Sequence, residues 1–67
     1  MHIGTIKWFD FEKGYGFIKP DDGSRDIFLH ISEVKKAGIV EFQGRQRVMF
    51  TRFTQGNKEL AIDISLI

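Results

Sequence analysis

The chain has 67 residues, enough for one domain with one small hydrophobic core. It contains no cysteine, which excludes disulfides and thiolate metal sites, so packing alone must stabilise the fold. Ten basic and nine acidic residues give a formal net charge of +1, so any basic patch must be local. No apolar run reaches the ~20 residues of a membrane span, and the chain does not start like a secretory signal. We therefore expect a single domain over residues 1–67 that is soluble, cytoplasmic and free of membrane contacts.

Short apolar runs separated by turn-forming residues predict an all-β chain. The first strand is predicted near residues 3–10 and the second near residues 15–19. The sequence Pro-Asp-Asp-Gly-Ser at residues 20–24 is typical of a turn. A third strand is predicted near residues 26–30.

One short helical turn is predicted after the third strand. Ser32 is interpreted as its capping residue and Gly38 as the glycine that terminates it. Val34 is expected to close one end of the structure, and a long loop then leads to Gln43 and Gly44. This turn of helix is too short to carry function.

The last two strands are predicted near residues 47–53 and 60–66, with a turn at residues 54–58. Alternation around Asp63 and along the fourth strand predicts four inward-facing residues: Val48, Phe50, Ile62 and Ile64. Five short strands without a long helix favour a small closed barrel, which also hides the strand edges.

Aromatic residues are unusually dense between residues 7 and 18, where five rings occur. Aromatic side chains are usually buried, but alternation places Tyr15 and Phe17 on one face of the second strand and Ile18 on the other. Ile18 is the better core residue, so the two rings face outward. In the third strand Ile27 and Leu29 take the core side in the same way, so Phe28 and His30 face outward as well.

Trp8 requires a break in this alternation. Ile6 and Trp8 are two residues apart, yet Ile6 suits the core and Trp8 suits the outer face. A β-bulge or sharp bend in the first strand is predicted to reconcile them. Rings exposed beside Lys7 and Lys13 are typical of a surface that stacks unpaired bases and neutralises phosphates.

Three segments of the chain resemble the cold-shock domain family: Gly4-Thr5-Ile6-Lys7-Trp8-Phe9-Asp10, Lys13-Gly14-Tyr15-Gly16-Phe17-Ile18 and Asp26-Ile27-Phe28-Leu29-His30. The second and third look like the family's two ribonucleoprotein motifs. The resemblance covers essentially the whole chain and implies an oligonucleotide-binding (OB-fold) barrel of five antiparallel strands. It also implies an RNA chaperone that binds single-stranded RNA or DNA on strands one to three, with effects on transcription termination and translation.

The resemblance also implies site residues. Stacking residues would be Trp8, Tyr15, Phe17, Phe28 and His30, while Lys7 and Lys13 would lie near phosphates. Asp26 would hydrogen-bond a base edge, and Phe9 matches a partly exposed ring. No cofactor is predicted, and the expected state is a monomer, with a strand-exchanged dimer through the middle loop left open.

The chain departs from the family pattern at several positions. Thr5 removes a common lysine, and Asp10 adds a negative charge in place of asparagine. Ile31 and Ile39 stand where the family often has phenylalanine, and a branched aliphatic covers a base less well than a ring. Two further site positions are Phe11, which adds an exposed ring, and Lys58. The segment Lys58-Glu59-Leu60 replaces a typical Gly-Pro pair, which weakens the expected loop contacts.

Three alternative interpretations fit the sequence less well. An RNA-recognition motif needs two substantial helices and places its signature well into the chain, whereas here it starts at residue 13. A small barrel that binds a protein or peptide through its exposed rings is the main rival. Enzymatic function is not expected, because Ser24, Asp26 and His30 lie beside one strand without the geometry of a triad. His2 and His30 alone do not make a metal site.

Overall fold

Five strands and one short helix make up the chain, and the computed structural model describes all residues from 1 to 67. The elements in chain order are β1 (His2–Asp10), β2 (Tyr15–Pro20), β3 (Ile27–His30), α1 (Ile31–Lys36), β4 (Arg47–Gln55) and β5 (Lys58–Leu66). The strands of the β4–β5 hairpin each extend two residues further than predicted, because Gly56 with φ +61° lets a two-residue turn join them. No helix has the length and apolar character needed to cross a membrane.

The strands close into a barrel in the order β1-β2-β3-β5-β4, which confirms the predicted five-stranded barrel. Four of the strand contacts are antiparallel, and the contact between β3 and β5, with Phe28 opposite Leu60, is parallel. A closed ring with an odd number of strands cannot alternate direction at every contact. One parallel contact is therefore required wherever the ring closes.

The core consists of nine buried apolar side chains drawn from every element: Ile6, Ile18, Ile27, Leu29, Val34, Val48, Phe50, Ala61 and Ile64. The alternation predicted for β2, β3 and β4 is confirmed. Val34, the one buried residue of α1, is fully buried in this cluster, as expected for a helix that closes the barrel. No buried side-chain nitrogen or oxygen lacks a hydrogen-bond partner.

The predicted bulge in β1 is present at Lys7. Ile6 pairs with Ile18, whereas Trp8 pairs with Phe17, so β1 has one more residue than β2 between these two pairs. Ile6 is consequently buried, with 8% of its surface exposed, while Trp8 is 44% exposed. The extra residue turns the tryptophan to the outer face.

The prediction that Ile62 points inward is wrong. Ile62 is half-buried, and Ala61 takes the core position instead, together with Ile64. The reason is a second irregularity: Asp63 has φ +52°, and β5 has one more residue than β4 in this region. Simple alternation therefore cannot hold along β5.

The helix prediction is right about its end and wrong about its start. Gly38 has φ +75°, and the N–H groups of Gly38 and Ile39 donate to the carbonyls of Lys35 and Val34, as in a Schellman motif. The N-cap, however, is His30 and not Ser32, since His30 Nδ1 accepts a hydrogen bond from the Ser32 N–H. His30 thus belongs to both β3 and the start of α1.

Candidate nucleic-acid interface

Four aromatic rings from three adjacent strands form one continuous surface: Trp8, Tyr15, Phe17 and Phe28. We call these four rings, together with His30, the ring face. The strand register produces it, because Trp8 is paired with Phe17 and Phe17 with Phe28 across β1, β2 and β3. Tyr15 is paired with His30 in the neighbouring row. The predicted outward orientation of these side chains is confirmed.

The rings contact one another edge to face. Ring centroids lie 5.5 Å apart for Trp8 and Phe17 and 5.8 Å apart for Phe17 and Phe28, with interplanar angles of 61° and 79°. Tyr15 and Phe28 lie 5.9 Å apart and nearly parallel, at 17°. Because each ring shields its neighbours, only Trp8 among the four is exposed, and the other three are half-buried. Such packing fixes the rings before any ligand arrives, which reduces the ordering cost of binding.

His30 is exposed at the edge of this surface, with its ring centroid 6.4 Å from that of Phe28. The imidazole is held in place from the helix side, because Nδ1 accepts from the Ser32 N–H at 3.1 Å and lies 2.9 Å from Ser32 Oγ. The ring is thereby oriented by α1 while its face stays accessible.

The cations near the ring face differ in availability. Lys7 Nζ lies 2.8 Å from Asp26 Oδ2, so two residues expected to contact a ligand contact each other. A phosphate at Lys7 would have to compete with Asp26. Lys13 is in no ion pair and stands in a loop shaped by Asp10, whose Oδ1 accepts from the N–H groups of Glu12 and Lys13.

The β4–β5 hairpin supplies a wall beside the rings. An open groove with a volume of about 640 Å³ is lined by Phe17, Asp26, Phe28 and His30 on one side and by Gln55, Lys58, Glu59 and Leu60 on the other. Lys58 therefore lies beside the ring face. Gln55, Glu59 and Leu60 were not predicted as site residues, since only the parallel β3–β5 contact brings them there.

The four remaining predicted site residues lie in three places. Ile31 is half-buried and donates its N–H to the carbonyl of Gly14, directly beside His30. Ile39 packs against the core and lines a separate groove with Ile64 and Leu66, where no aromatic ring is present. Phe9 and Phe11 form a second ring cluster with a third phenylalanine, Phe42, that the sequence analysis did not single out.

The two arginines of β4 are paired with carboxylates within the chain. Arg47 binds both carboxylate oxygens of Asp21, at 2.7 and 2.6 Å, which holds the pKa of that carboxyl below its ordinary value and raises the pKa of the guanidinium. Arg52 binds Asp22, Ser24 and Glu59. Hydrogen bonds from Ser24 lower the pKa of Asp22.

The helix carries one more paired cation. Lys36 lies 2.6 Å from Asp63, which raises the pKa of its ammonium group. Four of the ten basic residues are thus in ion pairs, which leaves six without one: Lys13, Lys19, Arg25, Lys35, Arg45 and Lys58. Two of these six, Lys13 and Lys58, are at positions predicted to contact a ligand.

A family model described as the "Cold-shock" DNA-binding domain matches residues 2–67. The chain is 44% identical over 63 residues to cold shock protein CspA of Rhizobium meliloti, covering 91% of each chain. It is 52% identical over 50 residues to the major cold shock protein of Micrococcus luteus, covering 75% of each chain. It is also 52% identical over 50 residues to the probable cold shock protein y4cH of Sinorhizobium fredii, covering 75% of this chain and 72% of that relative.

A five-stranded closed barrel with a face of aromatic rings is an architecture that many nucleic-acid-binding proteins share. The chain belongs to the cold-shock domain family, a family of nucleic-acid-binding proteins. The RNA-recognition motif does not describe it, since the structure contains one six-residue helix where that fold needs two substantial ones.

Proposed function

We propose that the ring face binds single-stranded RNA or DNA by stacking unpaired bases on Trp8, Tyr15, Phe17, Phe28 and His30. The observation that carries the proposal is the paired row of Trp8, Phe17 and Phe28 across three strands. Stacking on an aromatic side chain is worth ~1–3 kcal/mol per base and tolerates any base, because every base has a flat face. A few such contacts are enough for binding without a strongly basic surface.

Phosphate contacts play the smaller part in this proposal. Lys13 and Lys58 have no ion-pair partner, whereas Lys7 is paired with Asp26. The salt dependence for a single strand has a slope of roughly −0.7 per phosphate contact, so two or three contacts give a shallow dependence. Ring removal should therefore weaken binding more than charge removal does.

The same geometry supports the further proposal that the chain acts as an RNA chaperone. The ring face accepts splayed bases, and the structure has no helix long enough to read a duplex groove, so binding shifts RNA toward its unpaired states by mass action. Effects on transcription termination and translation would then arise wherever RNA structure controls those steps.

A titration monitored by Trp8 fluorescence tests the proposal. An unstructured oligonucleotide should quench the tryptophan and bind more tightly than a hairpin of permuted sequence. A proline-rich peptide should leave the emission unchanged at the same concentrations. Quenching by the peptide but not by the oligonucleotide would instead assign the ring face to protein recognition.

A further inference from the structure

A second cluster of aromatic rings lies at the β1–β2 loop. The ring centroids of Phe9 and Phe11 are 4.8 Å apart, those of Phe9 and Phe42 are 5.5 Å apart, and those of Phe11 and Phe42 are 5.9 Å apart. Phe9 and Phe42 are half-buried and pack against the core. Phe11 adds nothing to that core and is 40% exposed. Packing of the barrel therefore accounts for two of these rings but not for Phe11.

This cluster is continuous with the ring face. A groove of about 230 Å³ is lined by Trp8 and by all three rings of the cluster, together with Lys7, Arg45 and the loop that carries Gln43 and Gly44. The same tryptophan thus borders the ring face and the groove. A strand that extends from the ring face over Trp8 would therefore enter this groove.

The charges at the groove suit a phosphate. The two ionised side chains that line it, Lys7 and Arg45, are both basic, and no carboxylate lines it. Because Lys7 is already paired with Asp26, Arg45 is the cation available to a phosphate. Arg45 is in no ion pair, unlike Arg47 and Arg52. Its φ of +56° is rare for a residue with a side chain, so the loop holds this arginine in a strained backbone conformation.

We propose that this groove is an additional nucleotide subsite, in which one base stacks on Phe11 beside Phe42 and the adjoining phosphate contacts Arg45. The inference rests on the proposed binding of single strands by the ring face and extends the bound strand beyond Trp8. The groove is smaller than the ~300–1,000 Å³ of a drug-sized ligand pocket, which suits one flat base. Single-stranded nucleic acid is the favoured occupant because the groove offers rings beside a cation and continues the ring face.

The subsite predicts a dependence on oligonucleotide length that Phe11 controls. Fluorescence anisotropy of labelled oligothymidylates, lengthened one nucleotide at a time within the ~4–16 nucleotides of such folds, measures it. Wild type should gain about fivefold or more in affinity at the length that first reaches the groove, the lower end of the range for stacking one base. Phe11→Ser should bind shorter oligonucleotides like wild type and lack this gain.

Two further variants separate the subsite from other effects. Phe53→Ser removes another exposed phenylalanine that lines neither groove, and it should keep the gain. Arg45→Gln should reduce the salt slope by about 0.7 for long oligonucleotides only. Melting curves of all variants show whether each is folded.

The failure of this inference differs from the failure of the proposed function. If Phe11→Ser matches wild type at every length while Phe17→Ala loses affinity, the ring face binds and the groove is not a subsite. If Phe17→Ala also binds like wild type, the proposed function itself is wrong. A proline-rich peptide that binds wild type but not Phe11→Ser, with oligonucleotide binding unchanged by the substitution, would assign the groove to protein and overturn the inference.

Discussion

The ring face and a second region, which we call the ion-pair belt, differ in whether their side chains already have partners within the chain. The ion-pair belt, formed by Asp21, Asp22, Arg47, Arg52 and Glu59, satisfies both arginines with carboxylates and ties the β2–β3 turn to β4 and β5. The ring face has a single ion pair beside it, Lys7 with Asp26, and Trp8 at its edge is 44% exposed. The difference shows that the availability of a charge depends on its partner, so a count of basic residues says little about where phosphate binds.

The largest effect should come from the centre of the ring face. Phe17 contacts the rings of Trp8, Tyr15 and Phe28, so Phe17→Ala removes one stacking ring and loosens three others. We expect affinity for an unstructured oligonucleotide to fall about 5- to 150-fold, equivalent to ~1–3 kcal/mol. Anisotropy titration measures it. The control is Phe53→Ala, which should bind like wild type, and equal losses in both variants would contradict a localised face.

The backbone beneath the rings should tolerate no side chain at Gly16. A Cβ there would lie 2.3 Å from the Trp8 carbonyl oxygen and 2.6 Å from Phe9 Cα, so β1 and β2 would have to separate. Gly16→Ala should lower the free energy of unfolding by about 1–3 kcal/mol. Gly44→Ala is the matched control, because nothing lies within 4 Å of that position and its φ is not positive. Urea unfolding compares the two, and equal stabilities would show that the strands are not packed this closely.

His30 has a ring-face role and a helix-capping role that two substitutions can separate. His30→Ala removes both the ring and the acceptor for the Ser32 N–H, and should destabilise the fold by about 0.5–2 kcal/mol while weakening binding. His30→Asn restores a capping oxygen without a ring, so it should recover stability but not affinity. Chemical denaturation and anisotropy titration on the same samples measure both. Recovery of affinity by asparagine would mean that the cap, and not stacking, is what binding needs.

Charge removal should have a smaller effect, and only at the ring face. Lys13→Gln and Lys58→Gln should each reduce the salt slope by about 0.7 if each contacts one phosphate. Arg47→Gln should leave the slope unchanged, since Arg47 is held by Asp21. Affinities measured over a range of salt concentrations give the slopes. A reduced slope for Arg47→Gln would show that the ion-pair belt also contacts the strand.

The smallest effect should be a pH dependence of stability from the ion-pair belt. The pKa of Asp21 is lowered by its hydrogen bond to Arg47, so its contribution to stability is complete above the ordinary pKa of 3.8 and is lost as pH falls through the lowered value. Asp21→Asn should therefore be less stable than wild type at neutral pH, and the difference should shrink in acid. Thermal unfolding at a series of pH values measures it. A difference that stays constant down to pH ~2 would show that the carboxylate charge is not responsible.

Local sequence was sufficient to predict most of this architecture. Alternation in β2 and β3 is strict, so the inward positions of Ile18, Ile27 and Leu29 and the outward positions of Tyr15 and Phe28 followed from the residues alone. The conflict between Ile6 and Trp8 indicated a bulge or a sharp bend in β1, and the structure has a bulge there.

Only the tertiary structure decided the contacts between residues distant in the chain. It paired Lys7 with Asp26, brought Lys58 to the rings through the parallel closure of β3 on β5, and joined Phe42 to Phe11. It also placed a break at Asp63 that alternation could not show. The physical reason is that sequence periodicity reports which side of a strand a residue occupies. Which strand lies beside it depends on how the barrel closes.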